Sequence, residues 1–275
     1  MSPSLPLYDD PSFHNAYLLL PRQTYGLSHA PEWPTLRSLL GPTNNTTILD
    51  LGCGLGWFAR WAAASPLPTD KNADGGSATH ITAYDISTTM ISKAIQETKK
   101  EGLDGKIDYK VADLSKIELD TEAMYDIAFS SLALHYLSAD ELARLLAQVY
   151  TALKPTKTSR IVFSVEHPIY TAPASTPAPN FESIIINRET QRQIWPLESY
   201  AEEGAREREW LGTKGVVKYH RTIQTWFESL TGAGFVVTGL KEWMPSREDV
   251  EGREGWEGER DRPMFLLVRA ERREG

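Results

Sequence analysis

The stretch Ile48–Trp61, ILDLGCGLGWFARW, decides the fold. A short apolar run ends on Asp50 and Leu51. Three glycines follow at alternate positions, Gly52, Gly54 and Gly56, and a bulky apolar stretch begins at Trp57. The pattern reads as strand, turn and helix. Glycine allows a turn to take positive φ and lets another group come close to the backbone. The helix N-terminus behind the turn offers free N–H groups. A dinucleotide fingerprint would be G-x-G-x-x-G. Counted from Gly52, its last glycine would fall at position 57, which is Trp57. The spacing is instead G-x-G-x-G, with Asp50 two residues before it. An acid there opposes a pyrophosphate and suits an ammonium group, so the expected ligand is zwitterionic or cationic.

Outward from this stretch the chain alternates short apolar strands with helical patterns. Strands are expected at Thr47–Leu51, Ile81–Ile86, Ile107–Ala112, Asp126–Ser130 and Arg160–Val165. The clearest helix is Asp140–Lys154, with Leu142, Leu145, Leu146, Val149 and Leu153 at helical spacing, Ser138 or Asp140 as its cap and Pro155 beyond its end. Such alternation implies right-handed βαβ units and a parallel sheet. The tail departs from it: a helix over Thr222–Ala233 precedes two strands, Phe235–Trp243 and Met264–Ala270, with no helix between them. These are expected to pair antiparallel at the sheet edge. Residues 69–80 and the charged, glycine-rich link before Met264 read as surface loops. The segment from Pro168 to Tyr219 also breaks the alternation. It is Pro-rich at its start and aromatic throughout, and reads as an insertion covering a site, at about 169–218.

Composition sets the outer limits. The 275 residues suffice for a full core, and 41% hydrophobic with 24% charged residues is ordinary for a globular chain. A net charge of −8 argues against a broad nucleic-acid surface. The single cysteine, Cys53, rules out a disulfide framework and a cysteine-rich metal site, and no metal is expected. It fits a reducing, cytoplasmic setting. The start of the chain lacks the pattern of a signal peptide, and no apolar run spans a bilayer, so no membrane partner is expected.

The motifs continue in order: AYDIS at the second strand end, VADL at the third, YDIAFSSLALHYL at the fourth and IVFSVEHP at the fifth. With DLGCGLG, these resemble the class I S-adenosylmethionine-dependent methyltransferases of the small-molecule type, with a core like that of the ubiquinone and menaquinone methyltransferases. The resemblance is strong from Ile48 to Val165 and weaker beyond. It implies an α/β fold: a Rossmann-like seven-stranded, mostly parallel sheet with an antiparallel edge strand and helices on both faces. It also implies a helical lid at residues 1–47, a methyltransferase domain at 48–275, and S-adenosylmethionine as the cofactor.

Ligands of such sheets sit at the carboxyl ends of the strands. There Asp85 can accept from both ribose hydroxyls, Asp113 from the adenine amine, and Leu114 can offer a backbone N–H. Ile86 and Met90 can pack on the adenine, and Asp50, Gly52, Cys53, Gly54, Gly56, Trp57 and Ser130 complete the cofactor set. Related small-molecule enzymes fold their N-terminal segment over the cofactor, which would bring Arg22 or Tyr25 to its carboxylate. Each aspartate taken alone would read as a turn former or cap.

The fourth strand end carries Ser130-Ser131-Leu132-Ala133, which does not match the motif of enzymes that methylate adenine or cytosine amines or protein amides. A small-molecule acceptor is therefore expected, with no nucleic-acid partner, in a monomer or homodimer. As general base the candidates are His167, His220 and Glu166, in that order, with His135, Tyr170, Trp195 and Arg221 on the acceptor side. The competing readings are a catalytically silent cofactor-binding or pericyclase-like protein of the same fold, and a nicotinamide oxidoreductase, against which the missing glycine at 57 argues.

Overall fold

A computed structural model describes residues 7–65, 75–120, 122–174, 185–186, 189, 193–194, 197–251 and 256–273. Five strands form the parallel half of a sheet: β1 (Thr47–Leu51), β2 (His80–Asp85), β3 (Ile107–Val111), β4 (Ile127–Ser131) and β5 (Arg160–Glu166). Two short strands follow, β6 (Ile185–Ile186) and β7 (Gln193–Ile194), then β8 (Gly204–Trp210), β9 (Thr213–His220), β10 (Phe235–Trp243) and β11 (Phe265–Arg272). The main sheet has seven strands in the order β10-β11-β5-β4-β1-β2-β3. The order reverses at β1, whose neighbours are β2 and β4, both parallel to it. A crevice therefore opens beyond the carboxyl ends of these strands. The tail strands pair antiparallel as expected, but the reversed strand is β11, one in from the edge. It runs against both β5 and β10, and β10 takes the edge.

The helices are α1 (Pro11–Leu18), α2 (Pro21–Tyr25), α3 (Trp33–Leu40), α4 (Trp57–Ala63), α5 (Thr88–Lys100), α6 (Ala139–Ala152), α7 (Pro168–Thr171), α8 (Ile223–Gly232) and α9 (Arg247–Val250). Because strand side chains alternate between faces, β1 supplies Leu49 and Leu51 to one core and Ile48 to the other. On the first face Leu142, Leu145, Leu146 and Val149 of α6 and Trp226 and Leu230 of α8 pack over Phe163, Val165 and Leu266. On the second, Trp33, Leu36 and Leu40 of α3 and Phe58, Ala59 and Ala62 of α4 cover Ile48, Ile81, Phe129 and Val162. A capping box between Ser138 and Glu141 starts α6, and the Thr222 side chain caps α8.

Two segments outside the sheet frame the crevice. The N-terminal one is tied to α5. Asp9 Oδ1 accepts from Ser87 Oγ at 2.6 Å and from the Thr89 N–H at 3.2 Å, and Lys93 donates to His14 Nε2 at 2.6 Å. Gly26 lies flat on Trp57; with φ of +72° and a Cβ that would stand 2.5 Å from the indole, only glycine fits. The second is the β8–β9 hairpin, closed by Leu211 and Gly212 with φ of +51° and +75°, as a two-residue primed turn requires. Its inward positions are charged. Arg206 and Arg208 are buried and donate to the carbonyls of Ala172, Thr171 and Pro173. Among the described residues no helix is long and apolar enough to cross a membrane.

Candidate active site

A cavity of about 510 Å³ lies over the carboxyl ends of β1, β2, β4 and β5. Such a volume falls within the range of small-molecule sites. The strand ends form its floor. Asp50 comes from β1 and Gly52, Cys53 and Gly54 from the turn after it, Asp85 and Ile86 from the end of β2, Asp113 and Leu114 from beyond β3, Ser131–Ala133 and His135–Leu137 from the β4 exit, and Glu166 from β5. The N-terminal segment adds Tyr8, Tyr17, Arg22 and Glu32, and the hairpin adds Trp210.

The three glycines divide the work. Gly52 and Gly56 are glycine because the fold leaves no room: a Cβ would stand 2.4 Å from Ala133 Cβ in one case and 2.3 Å from the Tyr109 hydroxyl in the other. Gly54, with φ of +53°, faces open space on the cavity side. Its N–H donates to Asp85 Oδ2 at 2.8 Å, while Asp85 Oδ1 accepts from Ser87 N–H at 2.9 Å. Leu132, a non-glycine residue at φ +55°, makes the sharp exit from β4 that brings Ala133 against Gly52.

Burial pushes the Asp50 carboxyl well above the usual carboxylate range, and the neighbouring Asp85 adds to it. Burial raises Asp85 too, against the pull of its backbone hydrogen bonds. Asp50 Oδ2 and Glu32 Oε2 are buried with no hydrogen-bond partner among the described residues. Buried acceptors of this kind call for a donor, and an ammonium or sulfonium-bearing ligand supplies the matching charge. Arg22, bonded to Glu32 Oε1 at 2.5 Å, provides the cation that a ligand carboxylate needs. The residues thus fit an amino-acid end on one side and a ribose at Asp85 on the other. Asp113 lines the cavity but also closes its own turn, accepting from Ser115 N–H at 2.9 Å.

Beyond the glycine turn the wall is aromatic. Tyr8, Phe13, Tyr17, Tyr136 and Trp210 pack edge to face or stacked, with centroids 5.3–6.5 Å apart. Tyr8 donates to the Tyr136 hydroxyl at 3.2 Å, and Gln23 donates to that of Tyr17 at 2.8 Å. At the edge of this wall Glu166 Oε1 accepts from Lys218, whose ammonium sits 4.8 Å from the Trp210 ring centre. Burial alone would raise Glu166; Lys218, with His135 and Arg208, outweighs it and holds the carboxyl below its usual range. His135 accepts the Glu166 N–H at Nδ1, 3.4 Å away, and burial pushes its pKa down to about 4. It is a neutral ring with its proton on Nε2.

Of the residues expected from sequence, Asp50, Gly52, Cys53, Gly54, Trp57, Asp85, Ile86, Met90, Asp113, Leu114, His135 and Glu166 line the cavity together. The others do not. His167 is buried away from it, accepting from the Ile169 N–H at 3.2 Å and donating Nε2–H to Glu242 at 3.0 Å; it caps α7. His220, the last residue of β9, is fully buried between Thr171 Oγ1 at 2.8 Å and the Tyr200 carbonyl at 2.9 Å. With both nitrogens engaged, neither ring is placed to take a proton from a bound acceptor. Arg221 donates from Nη2 to the Leu137 carbonyl and packs on the Trp226 ring, with its buried Nη1 unpartnered among the described residues, and Tyr170 lies under Arg262 at 3.8 Å. Ser130 Oγ bonds the Leu51 carbonyl at 2.7 Å, and its neighbour Ser131 faces the cavity instead. Gly56 is the αL residue that starts α4. Tyr25 is 60% exposed and stacks on His29, while Arg22 of the same helix reaches in. Trp195 lies outside the described residues. Trp210, one of the aromatics expected in the segment that covers the acceptor, lines the cavity; sequence reasoning missed Tyr8 and Tyr17 as lining residues and missed Lys218, for which the alternation in KGVVKYH after the Leu-Gly turn was the available signal.

Comparison with known proteins agrees with this geometry. Residues 48–156 match the profile of a family described as methyltransferase domain. An S-adenosylmethionine-dependent methyltransferase of Mesorhizobium loti is 40% identical, with a TM-score of 0.75 over 90% of this chain and 100% of that one. A second such structure, from Listeria monocytogenes, is 31% identical with a TM-score of 0.71 over 90% and 99% of the two chains. An uncharacterized protein of Haemophilus influenzae is 27% identical over 98% of both chains. With the seven-stranded sheet, the glycine turn and the acid-lined crevice in place, these likenesses establish that the chain belongs to the S-adenosylmethionine-dependent methyltransferases.

Proposed function

We propose that this enzyme methylates a small molecule held between the strand ends and the aromatic wall, enclosed by the N-terminal segment and the β8–β9 hairpin. One observation carries the reading: a single cavity is bounded by the glycine turn and Asp85 on one side and by Tyr17, Tyr136 and Trp210 on the other. S-adenosylmethionine supplies an electrophilic methyl on a good leaving group, so the protein's task is to exclude water and align the nucleophile. In this reading Asp85 takes the ribose hydroxyls, Met90, Ile86 and Leu114 pack on the adenine, and Asp50 with Glu32 and Arg22 holds the amino-acid end. Residues 1–47 act as a lid, and the segment at about 169–218 caps the acceptor. His167 and His220 leave the list of bases, and Glu166 remains.

The test is direct. The protein is incubated with methyl-labelled cofactor and a deproteinised small-molecule extract, alongside an intact-protein and RNA fraction. Label in the low-mass fraction with release of S-adenosylhomocysteine is the expected result. Label confined to macromolecules overturns the reading, and calorimetric binding of S-adenosylhomocysteine without any methyl release would favour a silent cofactor-binding protein.

A further inference from the structure

Resting on that reading, we infer that the acceptor's nucleophile is a hydroxyl on an aromatic or enolic frame, read by Glu166 Oε2 and His135 Nε2–H, and that Lys218 is the positioning residue that orients Glu166. Four observations lead there. Polar groups of this wall bond one another: Tyr8 donates to Tyr136, Gln23 donates to Tyr17, and Ser131 bonds Ser164 at 3.1 Å. Tyr17, Tyr136, Trp210 and Phe265 line the cavity here, an aromatic surface suited to a flat apolar body. Two groups at this end keep unused capacity. Lys218 occupies only Oε1 of Glu166, and the Glu166 N–H occupies only Nδ1 of His135. One carboxylate acceptor and one imidazole donor therefore converge from the ends of β4 and β5, beside the glycine turn of β1.

This pair discriminates between nucleophiles. A hydroxyl donates its proton to Glu166, accepts from His135 with one lone pair and keeps the second for the methyl. A neutral amine can donate to Glu166, but its single lone pair must attack, which leaves the His135 N–H without an acceptor. A buried donor left unpaired is unfavourable. The charge of the cavity weighs against a third class. Among the described lining residues the carboxyls of Asp50, Glu32, Asp85, Asp113 and Glu166 outnumber the guanidinium of Arg22 even with Lys218 paired to Glu166, which disfavours an anionic acceptor.

The step balances. A lone pair of the hydroxyl oxygen forms the O–CH3 bond as the C–S bond breaks, and sulfur keeps that electron pair and becomes a neutral thioether. The hydroxyl proton passes to Glu166 Oε2 and then to solvent. Forming the O–CH3 bond makes that proton strongly acidic, so a carboxylate of low basicity suffices. An aryl or enol hydroxyl, already weakly acidic, fits such a base better than an aliphatic alcohol.

The experiment uses the full chain, 13C-methyl cofactor and two matched probes, 5-hydroxyindole and 5-aminoindole. With S-adenosylhomocysteine present, calorimetry should show the hydroxyl probe binding at least about tenfold more tightly than the amine. The 13C shift of the product should be that of a methoxy carbon, both for the probe and for the product labelled from extract. Glu166→Gln should lower turnover about 10²-fold or more and leave S-adenosylhomocysteine affinity unchanged. The groups facing Glu166 are Lys218 on β9, Arg208 on β8 and His135 after β4. Lys218→Met removes the nearest cation, so the fall in rate at low pH should begin at a higher pH than in the parent, an effect that lost packing alone would not give. An amine probe that binds or reacts as well as the hydroxyl, binding of neither, an N-methyl or C-methyl product, or parental turnover in Glu166→Gln would each overturn the inference while S-adenosylhomocysteine still binds. Failure to bind S-adenosylhomocysteine, or label on macromolecules alone, would instead remove the underlying reading and this inference with it.

Discussion

The two halves of the cavity are built by opposite means. The donor half is local: Asp50, Gly54, Asp85 and Asp113 sit at or just beyond the ends of three consecutive parallel strands, and backbone turns fix their positions. The acceptor half is assembled from a distance. Tyr8 and Tyr17 come from the N-terminal segment, Tyr136 from the β4 exit, Glu166 from β5, and Trp210 and Lys218 from a hairpin. A half made of strand ends is inherited with the sheet. A half made of long-range packing has to be held by specific ties, here Asp9 to α5, Gly26 on Trp57 and Lys218 to Glu166. Substitutions in the two halves should therefore separate cofactor affinity from acceptor turnover.

The largest separation is expected within the glycine turn itself. Gly54→Val would place a branched side chain at the one of the three glycines where a Cβ meets open space on the cavity side. It should weaken S-adenosylhomocysteine by more than about a hundredfold, or ~2.7 kcal/mol. Gly52→Ala would instead drive a Cβ against Ala133, and should lower folding stability by about 2–4 kcal/mol in denaturant titrations. Similar binding losses at both positions, scaling with stability, would break the distinction.

Next in size is the contrast across the cavity. Asp85→Ala removes the acceptor of the Gly54 and Ser87 N–H groups and should cost about ten- to a hundredfold in cofactor affinity. Trp210→Ala should lower acceptor kcat/KM by about tenfold or more with cofactor affinity within about twofold. Equal losses of both quantities in Trp210→Ala would mean that the hairpin supports the whole domain rather than one half of the cavity.

A smaller effect is expected from pH. Asp50 is raised by burial and by Asp85, so in the free protein it protonates above the usual carboxylate range. A cationic ligand favours the ionised form. Binding should therefore release a proton, and affinity should fall as pH drops through that raised pKa and level off once Asp50 is protonated. Asp85, raised as well, adds a second contribution of the same sign. Asp50→Asn should flatten the first part of the profile in calorimetry run at several pH values; an unchanged slope would place the ligand's charge elsewhere.

The smallest effect is expected at His167. Its ring caps a four-residue helix and bonds Glu242, so His167→Ala should lower stability by about 1 kcal/mol and leave turnover near the parental value. A loss of turnover far exceeding the stability change would restore it as a chemical participant.

The same division governs what could be read from the sequence. The strand ends were legible because each carries its own signature within a few residues: the G-x-G-x-G spacing after β1 and an acid after an apolar run at β2 and β3. The β8–β9 hairpin was hidden because Arg206 and Arg208 occupy its inward positions, which makes an alternating strand look like a charged loop; their charges are satisfied by the carbonyls of residues 171–173, which no local pattern reveals. The histidines misled for a related reason. VEHP at a strand end places a histidine near the crevice in sequence, but Pro168 starts a helix there and turns the ring inward to cap it. Glu166, one residue earlier, keeps the strand's direction and faces the cavity.

The most direct test of the two-half cavity is a crystal structure with S-adenosylhomocysteine bound. The ribose hydroxyls should lie on Asp85 and the amino group on Asp50. The sulfur should point toward the space between Glu166 and His135, with Trp210 and Tyr17 free of contact with the ligand. A ligand whose adenosine or homocysteine portion occupies the aromatic wall, or whose sulfur faces away from Glu166, would contradict the division.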